Sequence, residues 1–139
     1  MFYGTYLASV AFASAGSGLH HRICHVLGGA FGLPHAPTHA VMLRYVVAFN
    51  APASPDAAAR ISAAFAGAPA ASALFAFEEE LAAPRSLAEL GLAQDDIAHA
   101  ATLTLAAVPA SNPRPVTLED LERLLHAAWA GAPFERGRP

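Results

Sequence analysis

Between its proline and glycine breaks, this chain spaces apolar residues three and four apart, and no stretch alternates them with polar ones. That spacing is the stripe of a helix burying one side, whereas a half-buried strand needs a period of two. Phe2, Tyr6, Val10 and Ala13 predict a first helix over 1–13, broken by Ser14-Ala-Gly-Ser-Gly18. A second follows over 18–30, and Pro34-His35 open a third that runs to about Asn50 through Val41, Met42, Tyr45, Val46 and Phe49. Ser54 reads as an N-cap with Pro55 at the first helical position and Asp56 near the positive end, and that helix extends to Gly67. Leu74, Phe75, Phe77 and Leu81 predict a packed helix ended by Pro84. Ser86-Leu-Ala-Glu89 is a capping-box pattern for a single turn stopping at Gly91. Residues 94–107 form the next helix on Ile97, Ala101, Leu105 and Val108, and Pro109 to Pro115 make a rigid loop. In the last helix Thr117 is the cap, Glu119 and Asp120 fill the first turn, and Gly131 with Pro133 closes the end. Its stripe is Leu118, Leu121, Leu125, Ala128 and Trp129. Alanine is abundant while valine and isoleucine are scarce, which favours the same answer: an all-α helical bundle.

At 139 residues, 55% hydrophobic and 14% charged, the chain suits one helical domain with a substantial core. The net charge of −3 offers no general attraction to nucleic acid or anionic lipid. The cations are eight arginines with no lysine, so no lysine base or Schiff base is available. A single cysteine makes no internal disulfide and fits a reducing, cytoplasmic compartment. Residues 1–19 carry no charged side chain, but they lack the basic flank of a signal peptide, and glycine and serine dilute them below a membrane span of roughly 20 apolar residues. A buried helix is the expectation there. No Gly-rich phosphate loop and no internal repeat occur.

Four of the seven histidines fall between Gly18 and His35, with the only cysteine among them. At about 100° per residue, His21, His25 and Gly28 share one face, while Leu19, Ile23, Val26, Leu27 and Ala30 lie on the other. Two imidazoles four apart can meet one divalent ion, and His35 after the Pro34 break can fold back toward His21. The same pattern also suits a seam of histidines bonded to backbone carbonyls, or catalytic imidazoles acting without a metal. Cys24 lies near that face and reads as an inert buried thiol. His99 falls on a surface, and His126 flanks the stripe of the last helix.

The run Gly-Leu-His20-His21-Arg-Ile-Cys24-His25-Val-Leu-Gly-Gly-x-Phe-x-Leu-Pro34-His35 resembles the histidine signature of iron-containing (group III) alcohol dehydrogenases, and most closely their maleylacetate reductase branch. The likeness continues through Ala48-Phe49-Asn50-Ala51-Pro52-Ala53, Ser86-Leu-x-Glu-Leu-Gly91 and Asn112-Pro-Arg-Pro115 into the last helix. It implies the helical C-terminal domain of a two-domain, dehydroquinate synthase-like oxidoreductase. The family's nucleotide-binding α/β domain, and the first two of its four metal ligands, would precede Met1.

By that resemblance His21 and His35 are the last two metal ligands, for Fe2+ or Zn2+, or, as in enzymes of the branch that require no metal, the residues that orient an acidic substrate. His25 is the further active-site histidine beside the nicotinamide of NADH or NADPH. Reduction of maleylacetate, a dicarboxylate, to 3-oxoadipate in aromatic catabolism is the implied reaction, and Arg114 and His20 are the candidates for binding substrate. The chain alone is expected to be inactive, its partner being the missing domain or a complementary chain, with a homodimer as the implied assembly. Alternatives are a domain of a general iron-dependent alcohol dehydrogenase and a non-catalytic helical interaction domain. One departure stands out: the family's Leu-Pro before the end of the third helix is Leu43-Arg44 here.

Overall fold

A computed structural model describes residues 2–134, and all regular structure in them is helical. The helices are α1 (Phe2–Ala15), α2 (Leu19–Phe31), α3 (His35–Asn50), α4 (Pro55–Ala64), α5 (Ala70–Glu80), α6 (Ile97–Ala107) and α7 (Leu118–Ala130). Short 3₁₀ turns follow α3 at Ala51–Ala53 and precede α6 at Gln94–Asp96.

α2 and α3 form a tight antiparallel hairpin, the most extensively packed pair. Its turn is made by Gly32, whose φ of 69° is left-handed and whose N–H closes onto the last carbonyls of α2. Leu33 is buried in the turn, and Pro34 occupies the N-cap position of α3. α5 packs on α3, α6 on α2, and α7 across α6 and α3. The core between them holds Leu19, Ile23 and Leu27 of α2, Val41, Met42, Tyr45 and Phe49 of α3, Ile97 and Ala101 of α6, and Leu121, Leu124 and Leu125 of α7.

The last helix starts as its sequence dictates: Thr117 Oγ1 accepts from Asp120 N at 3.1 Å while Asp120 Oδ2 accepts from Thr117 N at 3.1 Å. Gly131 ends it at φ 67°. The turn after Pro84 is pinned to this helix, because Leu87 N–H donates to the Ala128 carbonyl and Trp129 Nε1 donates to the Leu92 carbonyl at 2.9 Å. Glu89 N–H donates to Ser86 Oγ, but the Glu89 carboxylate accepts from Arg85 N–H rather than from Ser86.

Several expected faces shift. α1 buries no residue: Phe2, Tyr3, Tyr6 and Val10 are all exposed, because the described residues leave most of this helix uncovered apart from Phe12 against His21. Its start at Met1 lies outside the described residues, and among the described residues no helix is long and apolar enough to cross a membrane. α4 stops at Ala64, before a turn in which Gly67 takes φ 87°, and Ser54 at its N-cap makes no side-chain capping bond. α5 buries Ala70, Ala73 and Glu78, while Phe77 and Leu81 face outward and the helix ends at Glu80. α6 buries Ala100 and Thr104 in place of Leu105, and α7 buries Leu124 in place of Leu118.

Arg44 explains the α5 shift. Its guanidinium is 5% exposed and donates to Glu78 Oε2 at 2.8 Å, to the Arg85 carbonyl at 2.6 Å and to Tyr45 Oη at 3.1 Å. It also stacks 4.6 Å from the Phe75 ring centroid. Glu78 therefore turns inward to neutralise a buried charge, and the helix rotates with it. Burial pushes the Glu78 carboxyl upward, partly offset by the adjacent guanidinium.

Two outcomes are expected from urea unfolding. Glu78→Ala strands a buried guanidinium and lowers stability by about 3–5 kcal/mol, whereas Arg44→Met combined with Glu78→Leu loses less than Glu78→Ala alone. Gly131→Ala costs about 1–2 kcal/mol for its left-handed backbone. Its new Cβ would also approach the Arg85 carbonyl oxygen to 3.2 Å.

Candidate active-site wall: a histidine cluster on one helical hairpin

All the imidazoles of the α2–α3 hairpin converge. Ile23, Cys24 and Leu27 turn α2's other side into the core, which leaves His21 and His25 facing outward one turn apart. His35 and His39 repeat that spacing at the start of α3. The ring centroids of His21 and His39 are 4.5 Å apart, His35 and His39 4.3 Å, His20 and His39 4.8 Å, His21 and His25 5.6 Å, and His25 and His35 5.9 Å. Phe12 of α1 stacks on His21 at 4.5 Å. His25 and His35 are exposed, and His20, His21 and His39 are half-buried.

The central ring is that of His39, which sequence reading missed. The signal was available: His39 follows His35 by four residues, the spacing that pairs His21 with His25. Its Nε2 is buried without a hydrogen-bond partner. Burial, reinforced by the four neighbouring imidazoles, pulls its pKa down to about 4. Burial likewise lowers His20 and His21, with neighbouring imidazoles adding to the effect. At neutral pH these rings are uncharged and carry free lone pairs.

The expected residues divide as follows. His21, His25 and His35 share one outward surface. His20 belongs to the cluster but points inward, donating its Nε2–H to the His39 carbonyl at 3.0 Å; it holds α2 to α3 instead of facing an open cleft. Cys24 belongs to the buried face and not the imidazole face, and burial pushes its thiol up to about 12. Val26 is half-buried, and Ala30, expected in the core, is exposed.

Arg114 is not brought to the imidazoles. It sits at the other end of α3, 4.2 Å over the Phe49 ring, and donates to the Phe49 carbonyl at 3.5 Å. Fourteen residues of helix separate Phe49 from His35, about 21 Å. Arg114 therefore fixes its loop, together with reciprocal amide bonds between Asn50 and Asn112 at 3.0 and 3.1 Å. Of the remaining histidines, His99 is exposed with its ring edge-on to Phe31 at 5.7 Å, and His126 is exposed on α7. A separate cavity of about 260 Å³ lies behind α3, lined by Arg44, Tyr45, Phe75 and Phe134, away from the histidine face.

A family model for the Fe-containing alcohol dehydrogenase family, C-terminal, matches residues 1–129. The chain belongs to that family and has the fold of its helical C-terminal domain. Among its relatives, the maleylacetate reductase of Sphingobium indicum is 44% identical over 131 residues, 94% of this chain and 37% of that protein. The maleylacetate reductase 1 of Rhodococcus opacus is 43% identical over 128 residues, 92% of this chain and 36% of that protein. A solved iron-containing alcohol dehydrogenase from Corynebacterium glutamicum superposes with a TM-score of 0.87 at 55% identity, covering 91% of this chain and 36% of that one. The chain thus spans about a third of the length of the curated relatives it matches.

Because His39, His20 and His21 all resist protonation in the folded state, the metal-free chain takes up fewer protons than its unfolded form between pH 6.5 and about 4. Stability should therefore fall as pH is lowered through that window. Thermal unfolding across it should show a shallower decline for His39→Gln than for the parent; an identical slope would contradict the assignment of buried neutral imidazoles.

Proposed function

We propose that this chain is the imidazole-bearing wall of the active site of a maleylacetate reductase-type oxidoreductase. The observation that carries the reading is the hairpin itself. Its histidine motif folds into one contiguous surface of His21, His25 and His35, in a chain 37–46% identical to several maleylacetate reductases. The reaction adds hydride from NADH or NADPH to the alkene carbon β to the ketone of maleylacetate. The electron pair shifts onto the conjugated carbonyl oxygen as an enolate, and a proton then completes the new C–H bond to give 3-oxoadipate and NAD(P)+.

The donor set fits a divalent transition metal, because imidazole nitrogen is a favoured ligand of such ions and the hairpin gathers its rings at centroid separations of 4.3–5.9 Å. His21 and His35 are the residues that would hold Fe2+ or Zn2+. Such an ion would supply Lewis-acid polarisation of the substrate ketone. The rest falls to the chain. Exposed His25, between His21 and His35, is placed to border the nicotinamide and to donate a proton to developing negative charge. His39 holds the cluster together from beneath, and His20 ties the two helices. The dianionic substrate finds a hydrogen-bond donor in His25 and draws its cationic partners from polypeptide outside this chain, since Arg114 is committed elsewhere.

In this reading the nucleotide is bound by a further domain or complementary chain, and the 139 residues alone are inactive. A homodimer working in the cytoplasm, where nicotinamide is reduced and consumed, completes the proposal. The second reading is a general iron-dependent alcohol dehydrogenase, favoured by the 55% identity to the Corynebacterium glutamicum structure of that description.

The test joins this chain to the preceding two-thirds of the Sphingobium relative and follows NADH oxidation. Turnover with maleylacetate and none with simple aldehydes is expected, with no turnover by the chain alone. His25→Ala should lower kcat by about 10²–10⁴-fold. A folded chimaera that reduces aldehydes but not maleylacetate would select the second reading, and turnover by the isolated chain would overturn its dependence on a further domain.

A further inference from the structure

Beneath the outward imidazoles lies a second donor set that the proposed reaction does not use. His20, Cys24 and His39 each offer one ligand atom, and these atoms lie within 4.8 Å of one another. His20 and Cys24 are four apart on α2, so both project toward the same point of α3, where His39 meets them. We propose that His20, Cys24 and His39 form an inner site for a thiophilic divalent cation of the Zn2+ class, distinct from the outer His21–His35 pair.

Three observations support it independently of the outer site. First, His39 Nε2 is a buried polar atom with no partner, which costs free energy that a ligand would return. Second, His20 donates its Nε2–H to the His39 carbonyl, which leaves Nδ1 as the lone-pair nitrogen of the neutral ring. That is the carbonyl-oriented arrangement typical of metal-bound histidine. Third, the donor chemistry is selective. One thiol and two imidazoles suit Zn2+, whereas ions preferring oxygen ligands gain little here.

The empty set, with its ligand atoms up to 4.8 Å apart, is wider than a filled tetrahedral shell with bonds of about 2.0–2.3 Å, so loading would require the donors to draw together. Binding exchanges the Cys24 S–H proton for the metal: the thiol loses H+ to solvent, an S–metal bond forms, and no electron transfer is involved. A proton held as tightly as that of Cys24 makes loading slow and favoured by rising pH. Three protein donors leave the fourth position to water.

Cobalt(II) is the probe, because a thiolate ligand gives it a near-ultraviolet charge-transfer band that imidazole and carboxylate ligands do not. The full chain, stripped with chelator under reducing conditions, is titrated with Co2+ above neutral pH. The expected result is a saturable charge-transfer band that Zn2+ displaces. It should be absent in Cys24→Ser and in Cys24→Ala, weakened at least tenfold in apparent affinity in His39→Ala, and unchanged in His35→Ala. No charge-transfer band in the parent chain, or one that survives either Cys24 substitution, would overturn the inner site.

Discussion

The turn between α2 and α3 governs this structure. Gly32 adopts a left-handed backbone, Leu33 plugs into the core, and Pro34 starts a new helix running back along the first. Every clustered imidazole comes from these two helices, so their relative position fixes the site. That position is held from the opposite side. Ile23 and Leu27 on α2, and Val41 and Met42 on α3, are fully buried, each contributing about 1.5–3 kcal/mol by removal from water. Burial of these four residues orients the hairpin, and the histidines, on the faces left over, are brought together without attraction among themselves. Their mutual effect is the reverse: neighbouring rings make protonation of His20, His21 and His39 harder.

α3 performs two unrelated tasks along its length. Its first turns carry His35 and His39. Arg44 lies about 180° around the helix from His35, facing α5, and locks α3 through Glu78 and the Arg85 carbonyl. A buried pair of this kind adds little net stability over an apolar substitute, but it penalises any packing that separates the partners. Its physical effect is specificity. It sets the rotation of α5 and, through Arg85, links α3 to the turn that Leu87 anchors on α7. Where the family resemblance led to proline, this chain places a cation that ties three elements together.

The sequence carried the number and order of the helices because proline and glycine mark their ends and because alanine leaves no competing strand propensity. The end of α7 was legible to a residue, since Gly131 stops it by a backbone that glycine adopts readily, whereas the break after α2 was read from Pro34 and the structure places the stop at Gly32. Faces were less legible. In α5 the apolar residues suggested that Phe77 points inward, but the inward direction is set by Glu78, whose partner lies 34 residues away in α3. In α6 and α7, Leu105 and Leu118 are apolar yet exposed, which hydropathy alone does not distinguish from core. The site was readable as far as local spacing reached: His21, His25 and His35 emerge from one motif. His39 had the same spacing signal. Its role as the central ring depended on the packing of two helices, as did the inward turn of His20 and the separation of Arg114 from the histidines.

The exposure of the outer imidazoles bears on how such a wall can work. His25 and His35 stand in water, and an imidazole there exerts its field through a medium of high dielectric constant. A developing enolate beside it would be stabilised by solvent nearly as well as by the ring, and hydride delivered from a nicotinamide would meet competing water. Preorganised donors gain their catalytic advantage when solvent is excluded and their dipoles cannot relax. This surface already has the preorganised half of that requirement, since the rings are held in contact from beneath by His39 and from α1 by Phe12. On the proposed reading, the excluded half would come from a covering surface that closes over His21, His25 and His35. The apolar side chains of α1, left bare beside the cluster, are where such a cover would find purchase. On the proposed reading, chemistry at this wall would belong to a closed assembly, and the hairpin's contribution would be to present its imidazoles aligned and close-packed before closure occurs.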